Sequence, residues 1–216
     1  MTAVMQPLSI LLGELLQILQ NLERPVVKLL RPGLSASTIE SLTEDLPIKL
    51  PDEIKQLYEW RNGVTEISKR RIEELCLFPN FYFPSLELAL DEFRGWEELF
   101  KVNPPECLWR MEWFPIFMDV GGRYYAIDCD SQSAHCGGIV EFSADYGGEL
   151  VFADLSKMVV SLTECYRQGV YFVGSNGRLT YDDKKSLPLF KALNPEIPAW
   201  SRRLAQMELI WKAGMG

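Results

Sequence analysis

Apolar residues along the first fifth of the chain recur every three to four positions. Leu8, Leu11, Leu12, Leu15, Leu16, Ile18, Leu19 and Leu22 define a helix over 8–22 whose apolar surface covers more than one face. Such a helix has to bury itself, on its own domain or against a second copy of the chain, so a homo-oligomer through this helix is one expectation. Pro25, Pro32 and Gly33 then break the pattern. Ser37-Thr38-Ile39-Glu40 has the spacing of a capping box and starts a second helix, with Ile39, Leu42 and Leu46 inward and Pro47 as its end. Pro51-Asp52-Glu53 opens a third, with Pro51 at the first helical position, Ile54, Leu57 and Tyr58 as its buried stripe and Asn62-Gly63 as its stop. A fourth is predicted from Ser85 to Phe100.

The period then changes. Trp113–Asp119, Tyr124–Asp128 and Ile139–Phe142 are short β-rich runs divided by glycine pairs, and Gly121-Gly122 suits a hairpin turn. Glu149–Phe152 adds a fourth run. Asp154–Gln168 returns to helical spacing, Val170–Val173 and Arg178–Tyr181 flank Asn176-Gly177 as a hairpin, and Pro198 begins a last amphipathic helix carrying Trp200, Leu204, Met207 and Trp211. Helices, a cluster of strands on tight turns and helices again predict an α+β domain, with an antiparallel sheet of about four to six strands packed by helices. We divide the chain into an N-terminal helical extension (1–36), a central domain (37–182) and a C-terminal helical extension (183–216).

Charge changes the picture more than composition does. The 216 residues hold 22 Lys plus Arg against 30 Asp plus Glu, a net charge of −8. The excess is concentrated in residues 85–165, with 5 basic and 15 acidic side chains, whereas 166–216 carry 8 basic and 4 acidic. A net-acidic chain repels phosphate, which argues against nucleic-acid binding. Residues 8–22 are interrupted by Gly13, Glu14 and Gln17 and are too short for a span of ~20 residues, so no membrane association is expected. Five cysteines without a C-x-x-C pair suit a reducing, cytoplasmic setting.

Catalytic chemistry finds little to stand on. His135 is the sole histidine. Its neighbour Cys136 points to the opposite side of an extended chain, which makes a dyad awkward. Cys129, His135 and Cys136 supply at most three zinc ligands where a structural site takes four. The glycine pairs lack the spacing of a phosphate loop. Lys69-Arg70-Arg71 is too short a basic run to imply nucleic acid. No catalytic, cofactor-binding or metal-binding residue is expected, and no cofactor.

Six elements in order resemble a known family. Leu50-Pro51 with Asn62-Gly63, Leu77-Phe78-Pro79 with Phe83-x-Ser85-Leu86-Glu87-x-Ala89-Leu90, Trp113-Phe114-Pro115-Ile116, Gly121–Asp128, Gly138–Phe142 and the helix Leu155–Leu162 resemble the Smi/Knr family of the SUKH superfamily over about residues 37–182. Val120 stands where the pattern has a third glycine, and Gly95–Glu112 is longer than the short form. The resemblance implies a non-enzymatic domain that binds other proteins: in bacteria an immunity protein neutralising a cognate toxin, in fungi a scaffold regulating cell-wall assembly. Without long disordered flanks, the bacterial role is favoured over the scaffold, and a small enzyme is the reading with least support. Many such toxins are basic, so the acidic middle of the chain becomes the expected docking surface, through Asp119, Asp128, Asp130, Glu141, Asp145 and Glu149. Six tryptophans are expected to pack in the core or, where exposed, to anchor an interface.

Overall fold

In the computed structural model, which describes residues 6–65, 69–102, 108–175 and 177–213, the N-terminal leucines form α1 (Leu8–Asn21). Its Leu8, Leu11, Leu12, Leu15 and Leu19 are buried within the chain itself, in the same continuous core as the rest of the protein. A 3-10 turn (Pro25–Lys28) leads to β1 (Leu30–Pro32), α2 (Ala36–Thr43), α3 (Asp52–Trp60) and β2 (Arg61–Val64). The N-cap of α2 is Ser35, two residues before the predicted Ser37: its Oγ accepts the Thr38 N–H at 3.1 Å. Pro51 is the N-cap of α3 rather than its first helical residue.

Asn62-Gly63 does not stop a helix as expected; it lies inside β2, paired antiparallel with β1. Two contacts explain this. The fully buried Asn62 side chain accepts the Leu86 N–H at 2.8 Å, and Val64 N–H reaches Phe83 O at 3.0 Å. Gly63 sits at φ +69°, where a Cβ would lie 2.2 Å from the Ser85 nitrogen. Only glycine lets these two backbones approach so closely.

After α4 (Ile72–Leu75), β3 (Cys76–Phe78) and β4 (Phe81–Tyr82) open the main sheet, and α5 (Leu86–Val102) crosses one of its faces. The predicted runs follow as β5 (Trp113–Met118), β6 (Arg123–Asp128), β7 (Ile139–Ser143) and β8 (Gly147–Phe152). The six strands lie in chain order, each antiparallel to its neighbours. The fold is α+β, as the periodicities predict. Helix α6 (Leu155–Arg167) is capped twice. Asp154 accepts the Lys157 N–H at 2.6 Å, and Glu53 of α3 accepts the Leu155 and Ser156 N–H groups and the Ser156 hydroxyl at 3.0–3.4 Å.

β9 (Tyr171–Val173) and β10 (Leu179–Tyr181) form the predicted hairpin as a separate two-stranded sheet; Asn176 of its turn lies outside the described residues, as does Cys107. Helix α7 (Asp183–Leu193), which hydrophobic spacing does not announce, precedes α8 (Pro198–Lys212).

Strand alternation gives the sheet two aromatic faces. On one, Trp96 of α5 stacks on Trp109 at 5.0 Å, with Tyr124 and Phe142 edge-on beneath. On the other, Phe78, Phe81, Phe117 and Tyr125 pack edge-to-face and continue through Phe152 to Phe190 and Trp200 of the two C-terminal helices. Trp109, Trp113 and Trp200 are buried.

Candidate functional site

The second face is where charge collects. Register places Tyr125, Glu141 and Glu149 side by side on β6, β7 and β8. Like charges directly opposite on adjacent strands repel, and the last helix resolves the conflict. Trp200 fixes α8 on the sheet by donating its indole N–H to Val151 O at 2.7 Å. The next turn then places Arg203 between the two carboxylates, 2.6 Å from each, while Arg202 meets Glu149 at 2.6 Å. Burial alone would raise the pKa of Glu149, but the hydrogen bonds and charges of Arg202 and Arg203 outweigh it and hold the group below the usual carboxylate range. Burial opposes the charge on Arg203 as well, and Glu141 and Glu149 more than compensate. The Arg203 guanidinium also lies 5.1 Å over the Trp200 ring.

The other acids serve different ends. Asp119 caps the β5–β6 turn: its carboxylate accepts the Gly121 and Arg123 N–H groups at 2.8 Å each and holds the Arg123 guanidinium at 2.7 Å. Asp128 is 5% exposed. Its oxygens accept the Asp130 N–H and the Ser133 hydroxyl, and Asp130 in turn accepts the Gln132 N–H. Both organise the loop after β6, at the opposite end of the strand from Arg123, roughly 16 Å away at ~3.3 Å per residue. Asp145 stands exposed at the β7–β8 tip beside Tyr146, which is 92% exposed. The structure therefore brings Glu141 and Glu149 together, puts Asp119 and Asp145 at the same end of the sheet, and sets Asp128 and Asp130 apart.

Between the β7–β8 tip, Arg123 and α8 runs a groove of about 920 Å³. Tyr146 lines it, and exposed Val120 stands beside Gly121 of its lining, on the neighbouring turn. Arg202, Arg203 and Tyr146 were missed by sequence reasoning. The basic balance of the C-terminal segment was the available signal for the arginines; the cross-chain pairing had none.

His135 and Cys136 are exposed in the loop before β7, and the His135 N–H donates to Ser133 Oγ at 3.0 Å. Among the described residues no group of three or more His, Cys, Asp or Glu is placed to hold a metal ion, and no helix is long and apolar enough to cross a membrane. Burial pushes the Cys76 and Cys165 thiols up to about 12, away from nucleophilic use at neutral pH.

This architecture agrees with the comparison to known families. The model of the SMI1 / KNR4 family (SUKH-1) matches residues 33–161, more than half of the chain, and the protein belongs to that family. Members of the family are not generally known as enzymes, and membership points to protein binding. No curated protein matches the chain.

Proposed function

We propose that the protein is a non-enzymatic immunity protein that binds and neutralises a cognate basic toxin. Family membership over residues 33–161 is the observation that carries this reading. The net charge of −8 supports it, since complementary charge accelerates encounter with a basic partner. So does the groove beside Tyr146, a large exposed aromatic of the kind that anchors interfaces. The acidic docking surface is narrower than the six nominated carboxylates. Glu141 and Glu149 are already met by arginines of the chain and Asp128 is buried, so Asp145 at the groove's edge is the nominated acid best disposed to meet a partner.

The test is co-expression with each toxin encoded near the gene. The expected outcome is a stable complex, protection of the host cell, and an association rate that falls as salt rises above ~0.1 M. Absence of both complex and protection with every neighbouring candidate would remove the reading.

A further inference from the structure

A second cavity, of about 140 Å³, lies on the same face, between the β3–β4 turn, β6, the β9–β10 hairpin, α7 and α8. Its walls are aromatic: Phe78, Phe81, Tyr125, Tyr181, Phe190 and Trp200. An apolar cavity of ~150 Å³ accommodates benzene, so this one is sized for a single side chain. It is no mere packing defect, because charged groups line it. Glu141, Asp183, Arg123 and Arg203 all border it.

We propose that this cleft is an anchor pocket for one cationic side chain, lysine or arginine, presented by a basic protein partner. The inference rests on the reading of the chain as a binder of such a partner and deepens it by naming the pocket. Three observations converge. First, both arginines at the rim are already neutralised, Arg123 by Asp119 and Arg203 by Glu141 and Glu149, whereas Asp183 has no ion pair among the described residues. The carboxylates lining groove and cleft, Glu141, Asp145, Glu149 and Asp183, outnumber Arg123, Arg202 and Arg203 by four to three, and Asp119 pairs with Arg123 from outside both linings. Second, the Tyr125 hydroxyl makes no hydrogen bond among the described residues although the ring lines the cleft, and burial pushes its pKa well above the phenol range. It is a neutral phenol with an acceptor oxygen to offer. Third, the chain already shows how cations use this face: Arg123 lies 5.3 Å over Phe81 and Arg203 lies 5.1 Å over Trp200. An incoming ammonium or guanidinium would lay its alkyl stem on the rings and meet Asp183 at the mouth. Burial and the neighbouring charge of Asp182 raise the pKa of Asp183, a cost that an incoming cation would relieve.

The experiment titrates the isotopically labelled full chain with n-butylguanidinium and n-butylammonium, with toluene as the neutral ring, and follows the Trp200 indole N–H by NMR. A saturable shift is expected at millimolar levels for the cations, weakened about fivefold in D183N and about twofold or more in Y125F. Asp183 is exposed and, among the described residues, outside any ion pair, so D183N is expected to fold. Three results would each overturn the pocket: no saturable shift, toluene binding as tightly as the cations, or D183N binding like the unaltered chain. A toxin that bound unaltered protein and D183N equally would also refute the pocket while leaving the immunity reading intact. Butylguanidinium binding without any toxin partner would do the reverse.

Discussion

Replacing Arg203 by methionine keeps a long apolar stem over Trp200 and deletes the charge between two strands. The guanidinium makes three short contacts, at 2.6, 2.6 and 2.9 Å, with Glu141 and Glu149. Hydrogen bonds to charged groups contribute ~1.5–3 kcal/mol when well buried, and exposed ion pairs ~0–1 kcal/mol. These side chains are 20–34% exposed, between the two cases. The variant also leaves two carboxylates directly opposite on β7 and β8, although Arg202 remains on Glu149. Together these effects give a loss of about 2 kcal/mol at pH 7. Its pH dependence has a definite sign. Glu149 titrates below its ordinary value in the folded protein. Its contribution is therefore present above the unfolded pKa, near ~4.3, and is lost as pH falls through the lower folded pKa. Urea unfolding followed by tryptophan fluorescence should show the full gap at pH 7 and a gap that shrinks progressively as pH falls below ~4. Lysine at 203 should fall between, since an ammonium cannot fork across both acids. R203M within ~0.5 kcal/mol of the unaltered chain at pH 7, or a gap of undiminished size at pH ~3, would refute the reasoning.

The β2–α5 junction offers two further tests. N62A leaves the Leu86 N–H buried without its acceptor and should cost ~1–3 kcal/mol in urea unfolding; a neutral change would deny Asn62 its capping role. G63A must both adopt a positive φ and push a Cβ into the Ser85 and Pro84 backbone, so a loss above ~3 kcal/mol or failure to fold is expected, and a loss below ~1 would contradict the close approach. E53A removes the carboxylate that holds the first turn of α6. Hydrogen exchange at Leu155 and Ser156 should accelerate there with a loss of ~1–2 kcal/mol, and unchanged protection at those amides would count against the contact.

Between Trp113 and Phe152 the strands were legible because they are runs of five or six residues rich in aromatic and β-branched side chains, set off by glycine pairs. β3 and β4 were not, since runs of three and two residues are too short to display a period. Helix α7 was hidden by Pro188 in its middle. The proline removes one helical hydrogen bond, and burial of Ser186 and Phe190 on either side of it holds the turn together. The Asn62-Gly63 pair misled because its local preference for ending a helix is real, while the contact that decides its conformation lies more than twenty residues away at Ser85 and Leu86. For the candidate site, the acidic surplus could be counted but its pairing could not. No spacing rule ties Glu141 to Arg203, 62 positions later.

The motif residues by which the chain resembles its family are occupied with the fold. Asn62 caps α5, Gly63 admits the neighbouring backbone, and Phe83 is wholly buried against Tyr58. Residues so employed cannot also distinguish one partner from another. The proposed binding surface instead lies on the face that carries the groove and the cleft. That face is composite: Arg123, Tyr125, Glu141 and Glu149 come from the matched segment, while Asp183, Trp200, Arg202 and Arg203 come from beyond residue 161. Without α7 and α8, Phe152 would lose its packing against Phe190 and Trp200, and Glu141 and Glu149 would face each other unpaired. A fragment trimmed to 33–161 would thus keep the family motifs yet lack the α7 and α8 side chains that line the groove and the cleft.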